Sequence, residues 1–297
     1  MDDYDGYSAK QFTGISDSLL DHLHFAQNGG HKVAAIFLQG AQNYGLETEL
    51  SDVDTKCITL PSLHSIIKND KRTSTTLVLP NNEHCDVKDI ALMYECFTKS
   101  NINFLEILFT EFTITDPFYQ KEIADLRSHA EEIAQYDYKR LVNSIIGMAC
   151  EKRKALTHPY PATIDKIEKH GYDGKQLHHI LRLHEFLGRI DAGESFRNCL
   201  KSEQASTLNQ LKIDPPYSVD EAIYMSDFAI ECLRKIRDDS VRYKTATQNR
   251  AAKDFLDNSL YKIMKKSIKQ DLQVEKISKR SKRNKNRDDI LGETPSA

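Results

Sequence analysis

Asp52 and Asp54 stand one residue apart in the stretch "LQGAQNYGLETELSDVDTKCITL" (38–60), at the start of an apolar run. In an extended chain, residues i and i+2 point the same way, so the two carboxylates share a face while Val53 turns to the other. Two carboxylates on one edge repel each other unless a cation sits between them. Mg2+ meets that need, with Mn2+ as the alternative: it takes one or two protein carboxylates, keeps some waters and completes its octahedron with nucleotide phosphates. A third carboxylate from a neighbouring strand would complete a two-metal site, which activates an attacking group and stabilises a leaving phosphate. Asp86, in "HCDVK" (84–88), is the first choice, since it lies on a further strand candidate just ahead of a helix. Asp89 is the weaker rival, because it reads as a helix N-terminal residue. Upstream, Gly40-Ala41 ends a strand and opens a helix, and backbone N–H groups at such a turn can hold phosphates.

The elements that must position these residues can be read from periodicity. Residues 8–29 show apolar side chains at helical spacing and stop at "NGG". "VAAIFLQG" (33–40) and "VDTKCITL" (53–60) read as buried strands, the second closed by Pro61. "TSTTLVL" (73–79) and "HCDVK" flank the turn "PNN" as two more. Helices follow at 89–99, around "NFLEILFT" (103–110) and from about 117. Beyond 120 the pattern is almost entirely helical, with long helices at 139–156, 174–190 and 217–243, and an amphipathic one at 251–272. The expected class is α+β: a small mixed β-sheet followed by a helical bundle. The expected divisions are 1–118 for the catalytic domain, 119–272 for the helical domain and 273–297 for a basic disordered tail.

Composition narrows the function. Hydrophobic residues are 39% and charged residues 29%, which suits a soluble globular chain and leaves no apolar run long enough to span a bilayer. The start, "MDDYDGYSAK", has no apolar signal region, and the six cysteines show no CxxC pair, so a reducing cytoplasm is the expected setting. The net charge of −3 hides an acidic body and a basic end, with seven Lys and Arg in "KISKRSKRNKNR" (276–287). That balance argues against a protein that coats DNA and allows one localised contact with a polyanion.

The constellation of apolar strand, Gly-Ala, spacer, Asp-x-Asp, apolar strand and later strand Asp resembles the nucleotidyltransferases of the DNA polymerase β-like superfamily. Within it, "GAQNYGLETELSDVD" is similar to the "GS-x-x-YG" and "SD-x-D" blocks, set apart by a short spacer, of a subgroup of mostly uncharacterised bacterial and phage-encoded nucleotidyltransferases, through Tyr44, Gly45, Ser51, Asp52 and Asp54. "CDVKDIALMYECFTKSNINFLEILFT" (85–110) resembles its third-carboxylate strand, helix and "NP-x-x-LE-x-LF" segment. "KHGYDGKQLHHILRLHEFLGRIDAGE" (169–194) resembles its "GYD-x-K-x-x-x-H-x-x-RL" helix. The likeness covers roughly residues 33–195. Ala41 stands where serine is usual, which removes one side-chain hydrogen bond to a phosphate, and Asn101-Ile102 stands where Asn-Pro is usual.

The resemblance implies transfer of a nucleoside monophosphate from an NTP, ATP first among them, to an acceptor hydroxyl on RNA, protein or a small molecule, with pyrophosphate leaving. Asp52, Asp54 and Asp86 would be the catalytic and metal residues. Gly40, Ala41, Tyr44, Ser51, Lys175, His179 and Arg182 would bind the nucleotide. On the helix 174–190, Lys175, His178, His179, Arg182 and Arg189 share one arc, which is either a solvated basic face or the far wall of the acidic site. Two other functions stay open. One is a nucleotide-binding regulator that has lost turnover, as Ala41 allows. The other is a ribonuclease, because "RKALTHPY" (153–160) resembles the Arg-x4-His-x-Tyr motif of HEPN-domain toxins through Arg153 and His158. The basic tail is either a solubilising segment or a nonspecific RNA contact.

Overall fold

The computed structural model describes residues 9–48 and 51–291. After helix α1 (Ala9–Asn28) come strands β1 (Val33–Gln39) and β2 (Asp54–Thr59), the short helix α2 (Leu63–Lys68), and strands β3 (Ser74–Val78) and β4 (His84–Asp89). Helices α3 (Ile90–Thr98) and α4 (Ile102–Leu105) lead to β5 (Thr113–Thr115). The rest is helical: α5 (Gln120–Ser128), α6 (Ala130–Ala134), α7 (Tyr138–Ala155), α8 (Ile164–His170), α9 (Gly174–Asp191), α10 (Phe196–Leu200), α11 (Ala205–Ile213), α12 (Val219–Asp239), α13 (Val241–Thr245) and α14 (Arg250–Leu291). The class is α+β, a mixed five-stranded sheet followed by helices.

The sheet runs β3-β4-β2-β1-β5, with β2 parallel to β4 and every other pair antiparallel. Strand alternation gives its two faces different tasks. Ile36, Cys57, Cys85 and Val87 pack with Ala26 of α1, and Leu38 packs with Ile15 and Leu19. Ala35, Phe37 and Ile58 face the other way and join the main core, which continues without a break through Leu141, Leu177, Leu187 and Leu233. The chain therefore buries one cluster across the expected boundary at 118.

Helix α14 ties the two halves together. Lys32 Nζ reaches Asp271 Oδ1 at 2.8 Å, and the other oxygen of Asp271 accepts from the Leu63 amide at 2.8 Å. Lys266 pairs with Glu122 at 2.9 Å, and Leu256 and Ile263 are buried. One expectation changes here. The stretch 276–287, expected to be disordered because it has almost no apolar residues, continues α14 as helix to Leu291. The packed part of α14 supplies the costly nucleus, and no Gly or Pro interrupts the chain from 250 to 291, so propagation is inexpensive. Residues 292–297 lie outside the described residues, as do 1–8, where the signal-free start falls. Among the described residues, no helix is long and apolar enough to cross a membrane.

The start of α9 is held by Asp173, whose carboxylate accepts from the Lys175 amide at 3.1 Å. Gly174 is required just after it, since a Cβ there would overlap the carbonyl oxygen of Leu211 on α11. Gly174→Ala is expected to lower unfolding free energy by about 1–3 kcal/mol through overpacking. Gly188→Ala, in the same helix with open space around its Cβ, is expected to be neutral or stabilising. Denaturant melts of the two variants check the contrast.

Candidate active site

The turn after β1 is built around Gly40, whose φ of +93° suits glycine alone. The helix expected there is one 3-10 turn, Ala41–Tyr44, closed by Gly45 at φ +64°. Side chains pin it from three sides. Asn43 Nδ2 donates to Leu38 O at 2.9 Å, and Gln42 Nε2 donates to Asp52 O at 2.9 Å. The Gly40 amide donates to Glu106 Oε2 at 3.3 Å, so Gly40 shapes the turn while its own N–H is already engaged. Ser51 Oγ accepts from the Thr48 amide at 2.8 Å and fastens the loop leading to the aspartates.

A cavity of about 460 Å³ opens beside this turn. Gly40, Ala41, Tyr44, Ser51, Asp52 and Asp54 line one wall. Lys175, His179 and Arg182 of α9 line the cavity from the helical half, with Lys152 of α7 and Lys212 of α11. Residues distant in sequence thus meet at one cleft, Asp52 and Asp54 on the sheet side together with Lys56, and further cations on the helical side.

Asp86 is not among the lining residues. The parallel register sets it opposite Lys56, whose Nζ lies 3.9 Å from its Oδ2. Among the described residues, no three His, Cys, Asp or Glu side chains are grouped to hold a metal ion. The expected three-carboxylate cluster is therefore not assembled, and Asp86 lies beside Lys56. The donor set at the cavity fits a smaller demand. Asp52 is exposed, and Asp54 is half-buried with Oδ1 accepting from the His84 amide at 3.2 Å. Two carboxylates with waters and phosphate oxygens suffice for one Mg2+. Asp89 caps α3 through the Ala91 amide at 2.8 Å and serves the fold.

The helical wall divides into fixed and available groups. His178 is buried and donates from Nδ1 to Leu208 O at 2.8 Å, so it is a packing residue. Burial holds its imidazole down at about 4, helped by the cations Arg182, Lys212 and Lys175. Burial and then Arg182 push His179 well below its ordinary value too. Arg189 is committed elsewhere, in ion pairs with Glu194 and Glu185. Arg182 is buried, with its guanidinium carbon 3.7 Å from the centroid of the Tyr44 ring. Its Nε has no hydrogen-bond partner among the described residues. A buried guanidinium with spare donors beside a cavity is suited to an anion.

Glu106 and Lys56 are site residues that the sequence reading did not single out. Both line the cavity and both are almost fully buried. Burial raises the Glu106 carboxyl above its ordinary value, against the pull of Lys56, Tyr44, Arg182 and Asn43. Burial also raises the Tyr44 phenol, with Glu106 adding to it. A signal existed for each: one charge inside an otherwise apolar element, "LEILF" and "TKCIT". In the motif resembling HEPN nucleases, Arg153 is clamped by Asp227 at 2.7 and 3.1 Å. His158 is exposed against Tyr160, and among the described residues no hydrogen bond or ion pair joins it to Arg153.

No protein-family model matches this chain, and none of the curated proteins compared with it matches.

The buried imidazole makes stability depend on pH. Unfolded, His178 takes a proton near 6.5; folded, only near 4. The stability from keeping it neutral is fully present above pH 6.5 and is lost as pH falls toward 4, at up to about 1.4 kcal/mol per pH unit. His178→Asn, which keeps an N–H donor, is expected to flatten this slope. Urea melts of both proteins between pH 7 and 4 measure it.

Proposed function

We propose that this cavity is a nucleotidyl-transfer site of the DNA polymerase β-like kind. The observation that carries the reading is the meeting of two charge sets in one cavity beside the Gly40–Tyr44 turn: Asp52 and Asp54 at the start of β2, and Lys175, Arg182 and Lys212 on the helices. A nucleoside triphosphate and an acceptor hydroxyl are the substrates. The hydroxyl gives its proton to solvent as its oxygen bonds to the α-phosphorus, the bond from that phosphorus to the pyrophosphate oxygen breaks, and pyrophosphate leaves.

Asp52 and Asp54 would hold a Mg2+ ion, which supplies Lewis-acid stabilisation of phosphate charge. The chain's own groups do the rest. Arg182 offers a planar fork of donors to phosphate oxygens, and Lys175 and Lys212 add mobile point charges. The rigid turn keeps the sheet wall in place, so the electrostatic field is set before substrate arrives. Asp86, beside Lys56 and outside the cavity lining, serves the structure, and the metal would stay on the two cavity carboxylates. The absence of a serine hydroxyl at Ala41 leaves phosphate recognition to cations and backbone.

Incubation with α-labelled NTP, Mg2+ and RNA, protein or small-molecule acceptors tests the reading. Label transfer is expected, falling about 10²–10³-fold in Asp54→Asn, the scale of losing one preorganised charge-stabilising group. NTP binding without transfer would make the protein a nucleotide-binding regulator. RNA shortening that disappears in Arg153→Ala would point to the ribonuclease.

A further inference from the structure

The floor of the cavity contains a positive side chain surrounded as a bound cation would be. Lys56 sits on β2 two residues past Asp54, on the face turned to the cavity, and is 5% exposed. Its ammonium donates to Gln39 Oε1 of β1. It lies 3.9 Å from Asp86 Oδ2 of β4 and 4.7 Å from the centroid of the Phe104 ring on α4. Its charge also acts on Glu106. A side-chain carbonyl, two carboxylates and an aromatic face, from separate elements, thus converge on one ammonium.

This arrangement is built into the backbone. The parallel register pairs Lys56 directly with Asp86, and the antiparallel register pairs Gln39 with Asp54. A second divalent ion at Asp86 would have to strip the ammonium of its partners while leaving it buried, or sit against it. Either is strongly unfavourable at low dielectric.

We propose that Lys56 is the built-in second cation of this site, neutralising Asp86 from within the chain, so that the site takes one divalent ion at Asp52 and Asp54 where a two-metal site would take two. The proposal rests on the nucleotidyl-transfer reading. Its consequence is that the inner charge is present whether or not metal is bound, and only the outer ion arrives with the nucleotide.

Counting bound Mn2+ tests this. Free Mn2+ is followed by electron paramagnetic resonance in the presence of a non-hydrolysable NTP analogue, with thermal melts reporting the fold of each variant. One Mn2+ per chain is expected for the wild-type protein and for Lys56→Arg. Two are expected for Lys56→Gln, where Asp86 is released as a ligand. Two ions in the wild type, or a single ion in folded Lys56→Gln, would overturn the proposal while leaving the nucleotidyl-transfer reading standing. If Lys56→Gln does not fold, Asp86→Asn decides: retention of the single ion supports the proposal, and its loss overturns it. Binding of neither analogue nor Mn2+ to the wild type would sink both.

Discussion

The cavity depends on one contact, the guanidinium of Arg182 lying over the ring of Tyr44. Arg182 belongs to the helical half and Tyr44 to the turn that ends β1, so their stack fixes the distance between the two walls. A desolvated contact of this kind is worth about 2 kcal/mol. It also solves a problem of burial. A guanidinium taken out of water is costly alone, and here the ring face and the nearby Glu106 offset part of that penalty. The offset is incomplete, since Nε is buried with no hydrogen-bond partner among the described residues. The same contact that closes the structure therefore leaves capacity for an anion.

The two walls rest on scaffolds of different kinds. The acidic side lies at the start of the central strand β2, whose register is set on both flanks, by β1 and by β4. A one-residue slip would turn Asp54 and Lys56 away from the cavity and Cys57 toward it, so burial of Ile36, Cys57 and Val87 beneath α1 enforces the site geometry. The basic side lies on α9, whose capped start is locked against α11 through Gly174. Helix α14 clamps the remaining freedom by binding Lys32 and the start of α2 on one half and Glu122 on the other.

Much of this was legible in the sequence where local pattern and tertiary role agree. β1, β2 and α9 announce themselves as apolar runs or amphipathic stripes bounded by Gly, Pro or capping residues, and their site residues follow from spacing. β5 did not, because three residues at a sheet edge carry no period. The continuation of α14 was hidden because composition reports core formation, while helix propagation needs only the absence of breakers. Asp86 was placed on the correct strand, yet its partner was invisible: which residue faces it depends on pairing β2 with β4 in parallel register, a nonlocal fact. Glu106 and Lys56 were overlooked because a lone charge in an apolar element looks like noise until its burial is known.

The electrostatics of the cavity favour a particular kind of ligand. On the helical wall, burial and then Lys175 lower the Lys212 ammonium, and burial with neighbouring cations keeps His178 and His179 neutral. That wall carries more positive charge than it can comfortably hold, so a polyanion relieves it. The strand wall carries the opposite charge, through Asp52 and Asp54. A bare polyphosphate would ease the first and worsen the second, and a bare divalent ion would do the reverse. A polyphosphate carrying its divalent ion satisfies both at once, which is the form in which a nucleoside triphosphate enters a transfer reaction.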